Sequence, residues 1–400
     1  MQTKPSGPPF EFNPTVRLLF VNVAVLMAIG LLMVYSASLS ANPEERYTQF
    51  TKQLVFVPLA LGAMLVMMRF PFERLGGRRA AVGLLVLGVT LLGAVLFLGP
   101  IIGGSRRWFR FSIGPLDLSV QPSEIAKLCM VIFFAWLLSR VGDDRRRLRR
   151  AFGVLAVVLL LVCGLIGYQD LGTAALLAAV GFGLMAAGGI PWRYLLGLVA
   201  PAVGGLVALV VFFPYRLKRI TIYLNPWKDP QGAGYQIIQS LIAIGSGGWA
   251  GLGMGSGMQK YFYLPEDTTD FIFSIICEEM GVAGGTLIIV LFLTMTLLGL
   301  RVVLHTTNRF AYLMSLGIVL WIGLQSLINI GVATAALPTK GIALPLVSYG
   351  GTGLVLTATA LGLMMSVAGR SPGLDPQTAD LAGTGSSAPV DSSPYLRSSV

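Results

Sequence analysis

The sequence predicts an all-α polytopic membrane protein: about ten transmembrane helices, with a large extracytoplasmic loop between the seventh and eighth. Three observations carry that expectation. Of 400 residues, 55% are hydrophobic and only 12% charged, about half the roughly 25% charged share of a soluble domain. Ten apolar runs approach the ~20 residues that a helix needs to cross the hydrocarbon core. The strongest basic clusters fall on one side of the predicted path, as cytoplasmic loops require. Together these exclude a cytoplasmic soluble enzyme, a secreted disulfide scaffold and a disordered chain. The net charge of +11 then reports cytoplasmic loops rather than nucleic acid, for which the chain has neither zinc-finger spacing nor a basic helix with interleaved aromatics.

The first run, 17–36, ends near Ser36-Ala37-Ser38, which resembles a signal-peptide cleavage site. Its apolar core is too long for a leader and is read as an uncleaved span. Runs at 53–69 and 80–100 flank Arg74, Arg78 and Arg79, and runs at 122–140 and 151–168 flank the stretch Arg145–Arg150, interrupted only by Leu148. Both clusters fall in one compartment, assigned to the cytoplasm. An even number of spans puts both ends there: a tail at 1–16, the membrane domain at 17–370, and a Ser-, Pro- and Gly-rich tail at 371–400 expected to be disordered.

Runs at 171–189 and 194–213 lead into the outer loop, 214–269. Within it, 235–248 is apolar but too short to cross, and predicts an interfacial or re-entrant helix. The glycines that follow, from Gly245 to Gly257, lack the strand–turn–helix context of a dinucleotide fingerprint; a pliable loop against a membrane ligand is expected. The last spans are 270–300, 310–335 and 345–369.

Chemistry is sought among charges that the membrane should disfavour. Arg106, Arg107, Arg110, Arg216, Lys218, Arg219, Lys260 and Lys340 all break the positive-inside pattern. An anionic ligand would retain them; anchoring to lipid headgroups is the alternative. Glu124 and Lys127 share a face at the start of the fourth span, as a local ion pair or as part of a ligand site. Asp170 stands where an N-cap belongs. Glu278 and Glu279, inside the eighth span, must face polar partners or an aqueous cavity, or be protonated. Asp270 begins that span, as an N-cap or as a carboxylate at the mouth of a cavity. Cys129, Cys163 and Cys277 have neither disulfide nor metal spacing, His305 reads as a loop residue, and the sequence offers no metal-ligand set.

Four segments then carry a resemblance: RRWFRFSIGPLDLSVQPSEIAKL (106–128), NPWKDPQGAGYQIIQSLIAIGSGGW (225–249), LPEDTTDFIFSIICEEMG (264–281) and ALPTKGIALPLVSYGGTG (336–353). In this order they resemble the SEDS peptidoglycan polymerases, the FtsW/RodA/SpoVE family, over about 15–370. Pro338-Thr339-Lys340-Gly341 and Tyr35-Ser36-Ala37-Ser38 are similar to the division-type FtsW branch. Departures are Asp267, Thr268, Gln169 and Thr352-Gly353, none of which removes a group the chemistry needs.

The resemblance implies a glycosyltransferase that joins lipid II into β-1,4-linked glycan and releases undecaprenyl diphosphate, outside the bacterial cytoplasmic membrane and at the division septum. It marks Asp270 as the catalytic carboxylate. Arg106, Arg107, Glu124, Lys127, Asp170, Arg216, Arg219, Lys260, Glu266, Lys340 and Ser348 are the expected substrate-binding residues. A lipid diphosphate leaves without protonation once its charge is stabilised, so one base among cations suffices. A divalent cation, Mg or Mn, could accompany the diphosphate; beyond that no cofactor is implied. The implied partner is a class B penicillin-binding transpeptidase, with other division-complex membrane proteins. A lipid II flippase and an elongation-type RodA polymerase are the rival expectations.

Overall fold

A computed structural model describes residues 9–38, 48–101, 105–113, 116–142, 144–212, 222–232, 234–260 and 268–371. Ten apolar helices match the ten runs: α1 (Pro14–Ser38), α2 (Thr48–Arg69), α3 (Arg78–Leu98), α4 (Pro122–Val141), α5 (Arg145–Gly167), α6 (Leu171–Ala187), α7 (Trp192–Val211), then α9 (Ile272–Leu304), α10 (Arg309–Ala333) and α11 (Gly351–Ala368). Seven of them are long and apolar enough to cross a membrane by length and composition. The other three are α4, with Glu124 and Arg140 in its end turns, α6 at 17 residues, and α7. The architecture is that of a multi-pass, all-α membrane protein.

Helix ends follow local chemistry. Pro122 opens α4, where a missing N–H costs nothing. Asp144, Asp170 and Asn308 cap α5, α6 and α10 by accepting backbone N–H bonds. The closest pairing is α2 against α11, where Gly362 packs on the Met64 backbone and Gly351 on the Phe56 ring, leaving no room for a Cβ. Small residues bring helices together in this way inside membranes.

Two features depart from the sequence expectation. Two strands, β1 (Phe109–Ile113) and β2 (Leu116–Val120), pair antiparallel as a hairpin just before α4. The second concerns the glycine series, whose backbone has a specific partner within the protein. After α8 (Tyr235–Ser246), the series seats on a break in α9 at Gly281, whose φ is 67°. Across that break Leu252 and Gly253 donate to the carbonyls of Glu278 and Glu279, and Val282 donates to that of Gly248. Gly247, Gly251 and Gly281 are glycine because the two backbones touch.

Candidate functional site

The site is built where four segments meet: the start of α6, the hairpin approach at 106–107, the start of α9, and the segment 334–350 between α10 and α11. Two polar residues of α10 hold that last segment. Asn329 Nδ2 donates to the carbonyls of Asp270 and Ile342, each at 2.8 Å. Gln325 Nε2 donates to the Ala343 carbonyl at 2.9 Å. From the other side, Ser348 Oγ donates to the Thr269 carbonyl and accepts from the Leu344 N–H, while Tyr349 N donates to the Thr268 carbonyl. Asp270 is therefore positioned through its own backbone, with its side chain half-buried.

Gly341 is the point of convergence. A Cβ there would stand 3.3 Å from Asp270 Oδ2 and 4.0 Å from Arg107 Nη1. One residue earlier, the stem of Lys340 packs on Gly172 in the first turn of α6. Arg107 donates to the Gln169 carbonyl and lies 3.6 Å from Asp170 Oδ2. Asp170 caps α6 through Thr173 N at 3.0 Å and also accepts from Thr173 Oγ1 at 2.9 Å. The expectation that N-capping alone could explain Asp170 is thus only part of its role, since the same carboxylate also steers the guanidinium.

Beside this point lies a small open cleft, with a cavity volume of about 20 Å³, between α3, α4 and α5. Its lining mixes apolar Leu92, Val95, Leu96, Leu165 and Ile166 with polar Arg106, Arg107, Gln121, Ser123, Gln169 and Asp170. Arg107 Nε and Gln169 Oε1 are buried there without a hydrogen-bond partner. Unsatisfied groups of this kind cost about 1–3 kcal/mol each and call for a ligand or water. Arg106 lines the same cleft, but its Nη1 donates to the Phe97 carbonyl at 2.8 Å, completing the C-terminus of α3.

Beneath the convergence point, Lys127 Nζ lies 2.6 Å from Glu124 and 2.9 Å from Gln325 Oε1, and 4.9 Å over the Trp321 ring. This is a local ion pair, and through Gln325 it reaches the segment that carries Lys340 and Gly341. Lys260 does not join the group. It is 2% exposed, with Nζ 2.8 Å from Glu279 Oε1 and 3.1 Å from Ser36 Oγ. Its place is the break in α9, because a buried carboxylate there needs a counter-charge. Arg216, Arg219 and Glu266 lie outside the described residues. Among the described residues, no three His, Cys, Asp or Glu side chains converge as a metal site.

The sequence reading missed Gly341, Gln325 and Asn329. For the two amides a signal was present. They sit four apart on one face of an apolar helix, where polar groups at membrane depth are functional candidates.

Comparison with known proteins agrees with this architecture. A family model described as cell cycle protein, FtsW/RodA/SpoVE, matches residues 16–372. A probable peptidoglycan glycosyltransferase FtsW of Tolumonas auensis is 38% identical over 91% of this chain and 93% of its own. The stage V sporulation protein E of Bacillus subtilis is 39% identical over 88% of this chain and 96% of its own. Among solved structures, a chain of a peptidoglycan synthase complex that coordinates polymerization and crosslinking superposes with a TM-score of 0.69. It is 32% identical and covers 87% of this chain and 96% of that one. The rod shape determining protein RodA of Thermus thermophilus gives 0.63 at 28% identity, over 88% of this chain and 96% of its own. With a family match over nearly the whole chain, relatives above that identity and a shared helical architecture, the chain belongs to the FtsW/RodA/SpoVE family of cell cycle proteins.

Proposed function

We propose that this chain is a peptidoglycan glycosyltransferase that polymerises lipid II into β-1,4-linked glycan on the outer face of the cytoplasmic membrane, releasing undecaprenyl diphosphate, in septal wall synthesis. The observation that carries the proposal is the meeting of Asp270 and Arg107 over Gly341, beside a small cleft lined by apolar residues together with Arg106, Arg107 and other polar groups. Glycosyl transfer from a lipid diphosphate needs a base for the acceptor hydroxyl and positive charge for the departing diphosphate. Asp270 is the base in this reading, and Arg107, with Lys340, supplies the charge. The apolar residues of the cleft, Leu92, Val95, Leu96, Leu165 and Ile166, suit the start of an isoprenoid chain, with the diphosphate against Arg106 and Arg107.

Glu124 and Lys127 act from below, holding Gln325 and through it the segment of Lys340. Asp170 orients Arg107, and Ser348 fixes the backbone beside Asp270. Relatives named for FtsW favour the division role over elongation, and a neighbour drawn from a synthase complex supports a transpeptidase partner of the class B penicillin-binding type. Purified protein with fluorescent lipid II tests the reading: glycan ladders on a gel, absent with Asp270→Asn, are the expected result. Lipid II that crosses vesicle membranes without forming glycan would overturn it in favour of a flippase.

A further inference from the structure

The break at Gly281 divides α9 into two pieces that need not move as one. The outer piece, 272–280, carries Asp270 just before its first turn and Glu278 and Glu279 in its last. Its backbone is uncoupled from the piece below, because the carbonyls of Glu278 and Glu279 accept from Leu252 and Gly253 instead of from the next helical turn. What aims the outer piece is therefore whatever grips its inner end. Glu278 Oε1 accepts the N–H groups of Met258 and Gln259 at 2.7 and 3.1 Å. Glu279 takes Lys260 Nζ at 2.8 Å and the Ser36 hydroxyl at 2.7 Å, with both carboxylate and ammonium sealed from solvent.

We infer that Lys260, Glu279 and Ser36 are positioning residues for the proposed base, Asp270. They fix the outer half-helix against α1, and so set where its far end places the carboxylate relative to Arg107 and Gly341. A buried ion pair is a poor source of stability, since apolar residues of similar volume in its place are often neutral or better. Its use here is to select one arrangement among those a broken helix allows. The inference rests on the assignment of Asp270 as base.

The test is the double variant Lys260→Met with Glu279→Leu, and separately Ser36→Ala, which leaves the ion pair in place. Each is purified in detergent and assayed with fluorescent lipid II, with thermal unfolding and amide hydrogen exchange measured alongside. A misplaced base should lower kcat at least tenfold in the double variant and several-fold in Ser36→Ala. KM should stay within about twofold and Tm should not fall. Exchange should rise across 272–280 and remain unchanged across 283–304. Wild-type kcat in a stably folded double variant would overturn the inference, as would wild-type kcat in Ser36→Ala if the double variant does not fold. Absence of glycan from the wild-type chain sinks the assignment of function instead. The exchange comparison then decides the positioning role alone, and unchanged protection of 272–280 refutes it.

Discussion

Substituting Gly341 by alanine puts a methyl group between the proposed base and its neighbouring cation. The backbone allows it, because Gly341 does not adopt the left-handed conformation that side chains resist. The methyl carbon would lie 3.3 Å from Asp270 Oδ2 and 4.0 Å from Arg107 Nη1. The first distance is a few tenths of an ångström inside ordinary contact, so the carboxylate must move by about that much. Misplacement by 1 Å at a reacting centre can cost about 10²-fold; a shift of some tenths should then cost roughly three- to tenfold in kcat. A valine at the same position fills the gap between carboxylate and guanidinium and should cost more than 10²-fold. Both variants should unfold within a few degrees of the parent, since the methyl displaces side-chain ends and no backbone. Initial rates of glycan formation over a range of lipid II concentrations separate kcat from KM. Parental turnover in Gly341→Val would refute the assignment of this point as the reacting centre.

Three further outcomes follow from the same geometry. Asp270→Asn should retain fold and lipid binding yet lose about 10²–10⁴ in rate, the contribution of a general base, read on the glycan gel. Lys127→Met leaves Glu124 buried without its partner and should destabilise by about 3–5 kcal/mol, whereas adding Glu124→Leu should recover most of that loss; thermal unfolding in detergent tests both, and equal stability of the two variants contradicts the pairing. Gly281→Ala forces a side chain into a left-handed φ of 67° and onto the carbonyl of Trp249. It should misassemble the outer loop, visible as protease cleavage near 248–258, and an intact, fully active variant would show that the break in α9 is dispensable.

The helices were legible in the sequence because a bilayer dictates their length and polarity, and each apolar run from α1 to α11 matches one. The β1–β2 hairpin was not, since its strands are short and set beside glycine and proline, in a segment read for its charges and its resemblance but not for local structure. The break in α9 was equally hidden. The apolar run continues through Gly281, and only a partner loop 30 residues away in sequence makes the break favourable. Within the site, Arg107 and Asp170 were found by charge and position, yet their contact joins segments that no spacing rule connects. The same sign rule grouped Lys260 with them, because net charge cannot distinguish a cation facing a cleft from one sealed against Glu279.

The break also changes how deep this chemistry lies. The lower piece of α9, 282–304, is about 34 Å long at 1.5 Å per residue, enough to cross a hydrocarbon core of about 30 Å unaided. The piece 272–280 is then surplus to the length that a crossing needs. On the proposed placement of the site, Glu278, Glu279 and Lys260 would then stand nearer the polar interface than the bilayer midplane, where charges are most costly. Asp270, at the far end, would meet a diphosphate at the depth where that group already resides, so a substrate could reach it by lateral diffusion without being lifted out of the leaflet.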